Sequence, residues 1–293
     1  MASFFSSMAF IVLYGVSYGL VLFTISVGLV ITMGLMRVMN LAHGAFAAIG
    51  GYLAVGLMNS AGTPFLLAIV VAVLIVAGLS VVLERLVYVH LYGAPDLDQM
   101  LMTLGVNFIV IGALTLLFGP NVFPVQLPTF LRGNIDLGFR TFELYRAFVI
   151  LVGAAVVIAL TLVFDRTNFG ARLRAAVDNR GMAQAIGINV GRLFSVSFAI
   201  GSGLAALGGA VGAEMLPLEP LYPLKYLVLV LIVVSLSGAG NIKGALGAAI
   251  FVGVVDTAGR FLAPEIGGFV IYVLLIVLVV WRRDGLFVAR GAT

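Results

Sequence analysis

Long apolar stretches separated by short polar connections dominate the chain. A bilayer core of about 30 Å needs roughly 20 apolar residues per helix, and the stretches approach or exceed that length. The predicted spans cover residues 8–36, 41–58, 64–87, 100–118, 146–164, 193–213, 224–236, 245–262 and 266–281. Because the second and seventh are short, the pattern predicts an all-α polytopic membrane protein with eight or nine transmembrane helices.

The composition supports this prediction and excludes other classes. Of 293 residues, 62% are hydrophobic and 10% are charged, whereas soluble domains are about 45–50% apolar and about 25% charged. This balance excludes soluble enzymes, nucleic-acid binders and disordered chains. The chain has no cysteine and two histidines, which excludes disulfides, thiolate metal sites and a His-rich metal centre. We expect one transmembrane domain over residues 1–293, with neither a catalytic nor a metal site.

The basic residues predict the orientation, because cytoplasmic loops carry an excess of Lys and Arg. If the chain crosses nine times with its C-terminus inside, most of the 16 basic residues lie on the inner side. The inner set is Arg37, Arg85, Arg166, Arg172, Arg174, Arg180, Arg192, Lys243, Arg282, Arg283 and Arg290, and the outer set is Arg132, Arg140, Arg146, Lys225 and Arg260. The N-terminus is therefore expected outside and the C-terminus in the cytoplasm.

The polar segment of about residues 166–192 is the most informative connection. Asp178 or Asn179 can cap a short helix over residues 180–185, with a glycine stop at Gly187. Such a helix would expose alanines and a methionine on the cytoplasmic face to whatever docks there. The alternative is a basic loop that fixes the topology and contacts lipid headgroups.

Three polar residues are candidates for a translocation path. Asn40 and His43 are one helical turn apart, so they are expected to share a face. Polar groups at membrane depth usually face the bundle interior or a water-filled path. The alternative is a pair of hydrogen-bonded helix ends that stabilise a bend. Asn107, in the middle of the fourth span, is expected either to join helices or to line a pore.

Asp256 and Arg260 are four residues apart on the eighth span, the spacing of an intrahelical ion pair. A proton-coupling aspartate is the competing interpretation, because a lone Asp in hydrocarbon is costly.

Pairs of glycines four residues apart favour tight helix crossings or a subunit interface. They occur at residues 15 and 19, 208 and 212, and 240 and 244. The glycine-rich residues 237–244 lack the Gly-Lys-Ser/Thr ending of a phosphate loop, so they predict a turn between helices. A phosphate loop is absent from the whole sequence, so any ATP hydrolysis would need another subunit.

Several motifs together resemble one transporter family, the permeases of branched-chain amino acid ABC importers. The resemblance extends over nearly the whole chain and is greatest to the shorter of the two permeases usual in such systems. The segments that carry it are residues 28–44, 50–52, 170–176, 185–190, 198–209 and 237–245.

The resemblance implies an importer permease fold related to sugar- and vitamin-type importers, in a bacterial inner membrane. The expected partners are a second homologous permease, two cytoplasmic ATPase subunits and a periplasmic substrate-binding protein. ATP and Mg²⁺ would be bound by those ATPases, with no cofactor in this chain. Family substrates include branched-chain and other amino acids, urea, amides and organic acids. The coupling segment falls on residues 172–188, with Arg172, Arg174, Asp178, Asn179, Arg180 and Gln184 as expected ATPase contacts.

Two other functions compete with a non-catalytic permease subunit. One is an ion- or proton-coupled secondary transporter or channel that acts alone, although such carriers typically need midplane carboxylates or broken helices in matching halves. The other is an intramembrane enzyme using His43, for which the sequence places neither a nucleophile nor a metal partner nearby.

Overall fold

A computed structural model describes residues 2–36, 40–91, 93–136, 138, 140–238 and 240–281. Its α-helices are α1 (Ala2–Met36), α2 (His43–Ala61), α3 (Phe65–Leu86), α4 (Asp96–Phe118), α5 (Leu144–Arg166), α6 (Asn168–Asp178), α7 (Arg180–Ala185), α8 (Val190–Val211), α9 (Tyr222–Lys225), α10 (Leu227–Ser237), α11 (Ile242–Leu262) and α12 (Gly267–Trp281). Two 3₁₀ helices cover Tyr88–Leu91 and Thr129–Leu131. Arg37, Arg282, Arg283 and Arg290 of the predicted inner set lie outside the described residues.

Each predicted hydrophobic stretch is helical in the described residues, which confirms the all-α membrane fold. Among the described residues, seven helices are long and apolar enough to cross a bilayer: α1, α2, α3, α4, α5, α8 and α11. The predicted seventh span is shorter and broken into α9 and α10. The described part of the ninth, α12, has 15 residues. At 1.5 Å per residue it is about 23 Å long, less than a full crossing of about 30 Å.

The break between α9 and α10 follows from how the preceding connection packs. Pro223 lies in the first turn of α9, and Gly44 of α2 packs directly on it: a Cβ at Gly44 would lie 2.6 Å from the Pro223 carbonyl oxygen. The Leu218 carbonyl accepts the backbone N–H of Phe123 at 2.7 Å. The residues before α10 therefore fold into the bundle, and the apolar stretch is divided.

The innermost helices are α1, α2 and α8, whereas α3, α4 and α5 expose most of their apolar side chains. The most extensive contacts join α1 to α11 and α8, and α8 to α2 and α3. A helix that is hydrophobic all round but exposed on one side suits lipid contact. The outer three helices therefore form the lipid-facing wall in this part of the structure.

Glycines bring the central helices together, as two of the three spaced pairs predict. A Cβ at Gly15 or Gly19 of α1 would lie within 2.8 Å of the α11 backbone. A Cβ at Gly208 of α8, or at Gly212 directly after α8, would lie within 2.6 Å of side chains on α1. Only residues without a Cβ permit such close approach of two backbones.

The third pair, at residues 240 and 244, does not form a helix crossing within this chain, and its place in a subunit interface stays a prediction. Gly240 has a φ of +78° and lies in the turn between α10 and α11. Gly244 packs on the side chain of Asn241, which caps α11 by accepting the Gly244 N–H at 2.9 Å. The predicted interhelical turn over these residues is present.

A small hairpin, which the sequence did not predict, lies between α4 and α5. Strands β1 (Asn134–Asp136) and β2 (Thr141–Glu143) pair antiparallel, with Ile135 opposite Phe142. The Tyr14 hydroxyl lies 3.4 Å from Glu143 Oε1, so the start of α1 shares this end of the bundle. We call it the hairpin end and the opposite end the α6–α7 end.

Residues of the predicted inner and outer basic sets lie at opposite ends of the bundle. At the α6–α7 end, Lys243 lies 3.7 Å from Asp165. At the hairpin end, the Arg140 guanidinium stacks over the Phe10 ring at 4.8 Å. The separation agrees with the predicted distribution, while the side of the membrane on which each end lies stays a prediction.

Candidate functional site

The short helix α7 has the predicted cap and stop. Asn179 precedes it, and the Asn179 Oδ1 accepts the backbone N–H of Met182 at 2.9 Å. Gly187 follows with a φ of +87°, and its N–H donates to the Gln184 carbonyl. Asp178, the other predicted cap, is the last residue of α6. Local hydrogen bonding thus fixes both ends of α7.

Helix α6 fastens this segment to the end of α5. Leu173 and Ala176 are buried. Gly170 packs so closely that a Cβ there would lie 2.0 Å from the Phe164 carbonyl oxygen. That carbonyl also accepts a hydrogen bond from Arg174 Nη1. Because the last carbonyls of a helix lack partners within it, Arg174 both satisfies α5 and ties α6 to it.

Helix α7 rests on α8 and exposes its other side. Ala183 is buried, and the Arg180 guanidinium lies 5.6 Å from the centroid of the Phe194 ring on α8. Met182 and Ile186, four residues apart, are 63% and 68% exposed. Exposed apolar side chains within a polar surface are typical of a protein contact.

The structure divides the predicted coupling residues into two groups. All six are exposed, and for Arg172, Asp178, Arg180 and Gln184 no role within the segment is assigned. Arg174 and Asn179 hold the segment together through the hydrogen bonds described above. The sequence analysis missed Ile186, although its spacing of four from Met182 was a usable signal.

A second group of polar residues lies inside the bundle. Asn40, His43 and Asn107 are fully buried. Asn40 Oδ1 accepts hydrogen bonds from the Tyr88 hydroxyl at 2.9 Å and from the Ala42 N–H at 3.1 Å. His43 Nε2 lies 3.2 Å from the Gly201 carbonyl oxygen of α8. Because a carbonyl oxygen only accepts, His43 donates from Nε2.

Residues 40–42 lie well within the bundle, not at its end. Asn107 Nδ2 donates to the Leu41 carbonyl at 3.0 Å, and the Leu41 N–H donates to Thr103 Oγ1 at 3.2 Å. Thr103 and Asn107 are about two and three turns into α4. Non-helical backbone at membrane depth is tolerated where it is buried in protein. Here the side chains of α4 bind that backbone.

The expectation that Asn40 and His43 share one helix face is wrong. Helix α2 begins at His43, and Asn40 precedes it. The Asn40 side chain binds the backbone two residues on, which competes with helix formation. All three predicted path residues join separate elements, as interhelical contacts do. Their role in a translocation path stays a prediction.

The predicted ion pair on α11 is present. Arg260 Nε lies 2.8 Å from Asp256 Oδ2, and Arg260 Nη2 lies 3.4 Å from Oδ1. The Asp256 side chain is 4% exposed and that of Arg260 is 62% exposed. The ion pair with Arg260 compensates the Asp256 carboxylate, which would be costly to bury unpaired at membrane depth.

Comparison with known proteins decides the family. The family described as branched-chain amino acid transport system, permease component, matches residues 11–279. The chain belongs to this permease family. Within the described residues, no group of three or more His, Cys, Asp or Glu side chains is placed to hold a metal ion.

The permease has curated relatives of similar length. The high-affinity branched-chain amino acid transport system permease protein BraD of Pseudomonas aeruginosa is 23% identical over 93% of each chain. The probable branched-chain amino acid transport permease protein LivH of Methanocaldococcus jannaschii is 27% identical, over 94% of this chain and 89% of its own. LivH of Escherichia coli K12 is 24% identical, over 93% and 92%.

These relationships confirm the resemblance that the sequence motifs carry. The chain is a multi-pass inner-membrane protein and a permease subunit of an ABC importer.

Proposed function

We propose that this permease forms half of a translocation path for branched-chain amino acids or a related small polar solute, organic acid or amide. A second homologous permease would supply the other half. Two cytoplasmic ATPases and a periplasmic binding protein would complete the importer. The transport named for the bacterial and archaeal relatives supports the solute class.

The exposed face of α7 is the observation that supports coupling to a separate ATPase. Arg180, Met182 and Ile186 offer a charge and two apolar side chains within two turns. Contacts that combine apolar anchors with an arginine are typical of the energetic centres of protein interfaces. We assign α7 as the docking element, with Arg172, Asp178 and Gln184 at the edge of the contact.

The anchoring of α7 supports transmission of motion. Through Arg174 and Gly170, α6 is fastened to α5, and through Ala183 and Phe194, α7 is fastened to α8. A force applied to α7 would therefore be transmitted to two membrane helices. Since packed elements move as rigid bodies with few intermediate positions, ATPase movement would shift α5 and α8 together.

In this proposal, the partner subunits catalyse ATP hydrolysis. ATP and Mg²⁺ would bind to the ATPase subunits, and this chain would hydrolyse nothing. The α6–α7 end would face the cytoplasm and the hairpin end the periplasm, as the separation of basic residues favours.

Reversal of charge on the docking face tests the proposal. In proteoliposomes that contain the complete importer, Arg180→Glu should lower ATP-dependent uptake about tenfold or more. This estimate takes about 2 kcal/mol for a central interface residue, with tenfold for each 1.4 kcal/mol. Basal ATP hydrolysis and insertion of the variant in the membrane should remain.

A matched control reverses another exposed charge of the predicted inner set. Arg85→Glu, at the end of α3, should transport normally. Unchanged uptake by Arg180→Glu would contradict the docking role. Uptake by this chain alone in liposomes, without ATPases, would favour an independent carrier or channel.

A further inference from the structure

The seventh apolar stretch is preceded by non-helical chain that runs inside the bundle. Residues 212–221, between α8 and α9, contain no helix or strand. A Cβ at Gly51 of α2 would lie 2.6 Å from the Leu218 side chain, and Pro223 packs on Gly44 of the same helix. Because Gly44 and Gly51 are about two turns apart, the segment follows α2 for about 10 Å before α9 begins.

The start of α9 lies close to mid-depth in the bundle. Leu41, three residues before Gly44, accepts a hydrogen bond from Asn107, which is the middle residue of the membrane-spanning helix α4. Pro223, which packs on Gly44, therefore lies near the same level. Non-helical backbone at such depth is tolerated only where it is buried in protein or lines a water-filled cavity.

Helices α2 and α9 both begin inside the bundle, but the two starts differ in exposure. At the start of α2, Asn40 and His43 are fully buried. At the start of α9, Leu221 is 57% exposed and the Lys225 side chain is 48% exposed. The start of α2 is therefore enclosed by protein, whereas the start of α9 reaches the surface of the chain.

The exposed residues of α9 and α10 form one stripe, which we call the α9–α10 stripe. It consists of Leu221, Lys225, Val228 and Ser235. Tyr226, between the two helices, has helical dihedral angles, so helical periodicity continues from α9 into α10. Spacings of four, three and seven residues then place the stripe on one face. Helices α1, α2, α4 and α11 contact the other faces.

The stripe differs from the lipid-facing wall because it carries charge near mid-depth. Lys225 lies two residues after Pro223 and pairs with the Glu219 carboxylate. By contrast, every exposed residue of α3 between positions 66 and 82 is apolar or glycine. Ionisable side chains within a membrane usually face the bundle interior or a water-filled cavity, and they mark solute pathways. Lipid contact therefore suits α3 and does not suit the stripe.

A cavity of about 570 Å³ connects the stripe to the hairpin end. Lys225 and Tyr226 line it together with Phe10 at the start of α1. Each of its three cations, Arg146, Lys225 and Arg260, has a carboxylate partner, so the charges of this entrance are balanced. Since a water molecule occupies about 30 Å³ in the liquid, the cavity is large enough for water to reach Lys225 from the hairpin end.

We propose that the α9–α10 stripe, with the Lys225–Glu219 pair beside it, is this chain's share of the wall of a water-filled translocation path. The second permease closes the path on the opposite side. The buried Asn40, His43 and Asn107 support the start of α2 behind that wall and do not contact the solute. The inference rests on the proposed importer function and names the surface along which the solute passes.

Cysteine labelling in the complete importer tests the proposal, because the natural chain has no cysteine. Leu221→Cys puts one thiol on the stripe. The matched control, Leu74→Cys, puts one on the lipid-facing wall, at a position that is 66% exposed in the middle of α3. In proteoliposomes, the labelled band of this chain is followed with an impermeant cationic methanethiosulfonate on both sides. Residue 221 should react about 100-fold faster than residue 74, because a charged reagent is costly to place in hydrocarbon.

Removal of the Lys225 charge tests whether the ion pair faces the same path. In the Leu221→Cys chain, Lys225→Met should speed the cationic reagent about threefold and slow an anionic one about threefold. One unit charge at one helical turn, about 6 Å away, has an effect of this size in water. Arg85→Met, at an exposed position at the end of α3, is the control and should change neither rate.

Equally slow labelling of residues 221 and 74 would overturn the proposal, since the stripe would then face lipid or a dry contact with the second permease. So would rates at residue 221 that Lys225→Met leaves unchanged. If Leu221→Cys does not assemble, Val228→Cys replaces it, with Val70→Cys on α3 as its control and the same expectations. The importer function fails separately, by absence of ATP-driven uptake in the wild-type complex, and labelling is read without uptake.

Discussion

The two ends of the bundle present opposite kinds of surface. At the α6–α7 end, a short convex helix exposes Met182 and Ile186. At the hairpin end, a concave cavity of about 570 Å³ lies between α1, α5 and α11, and the ion pair of Asp256 with Arg260 forms part of its lining. The convex end has the form of a protein contact, whereas the concave end holds an ion pair among aromatic and apolar side chains.

The same helices connect these two surfaces. Arg146, in the first turn of α5, lies beside the cavity, and Phe164, in its last turn, binds Arg174 of α6. Helix α8 begins beside α7 and ends at Val211, whose carbonyl accepts the Tyr145 hydroxyl at 2.6 Å. A movement applied at one end would therefore be transmitted along α5 and α8 to the other end.

The largest expected effect comes from breaking the crossing that supports the cavity. In Gly19→Leu, the new Cβ would lie 2.7 Å from the Ala249 carbonyl oxygen and 2.8 Å from the Ile250 Cα. Overpacking of this kind costs about 1–3 kcal/mol or more. We expect a lower thermal unfolding midpoint in detergent.

Gly78→Leu is the matched control for that change. Gly78 lies on exposed α3, with open space where its Cβ would be. The same added volume should leave the midpoint almost unchanged. If both variants unfold alike, the α1–α11 crossing has no special role.

A smaller effect should follow from removal of the α7 cap. Asn179→Ala removes the acceptor for the Met182 N–H, and loss of such a cap costs about 0.5–2 kcal/mol. Hydrogen exchange should accelerate in residues 180–186, and coupled uptake should fall, while the thermal unfolding midpoint of the bundle remains. Asn179→Asp should restore both, since Asp is an equally good cap.

The cap of α8 provides the comparison. Asn189 accepts the Arg192 N–H at 3.0 Å, so Asn189→Ala should affect exchange near residue 190 and leave α7 protected. Faster exchange over α7 in both variants would indicate that the segment melts as one unit and that its own cap is unimportant.

The sequence predicted local features well and long-range ones poorly. The apolar stretches, the cap and stop of α7, the pair of Asp256 with Arg260 and two glycine crossings all follow from periodicity or spacing within a few residues. Each depends on short-range geometry that any helix shares. Such features can be predicted from a single amino-acid sequence.

The cavity and the interior start of α2 depend on contacts between distant residues. Leu41 binds Asn107 across 66 positions, and the cavity joins α1 to α11. No spacing rule connects these segments. The sequence also could not separate the structural role of Arg174 from a docking role, because its partner is the backbone of Phe164.

The side on which α7 lies tests the central claim most directly. Met182→Cys puts one thiol on the exposed face of α7, in a chain without native cysteine. In sealed vesicles of known orientation, an impermeant maleimide should label residue 182 only from the cytoplasmic side, and bound ATPase subunits should block that labelling. Labelling only from the periplasmic side, or labelling that the ATPases do not affect, would contradict the account.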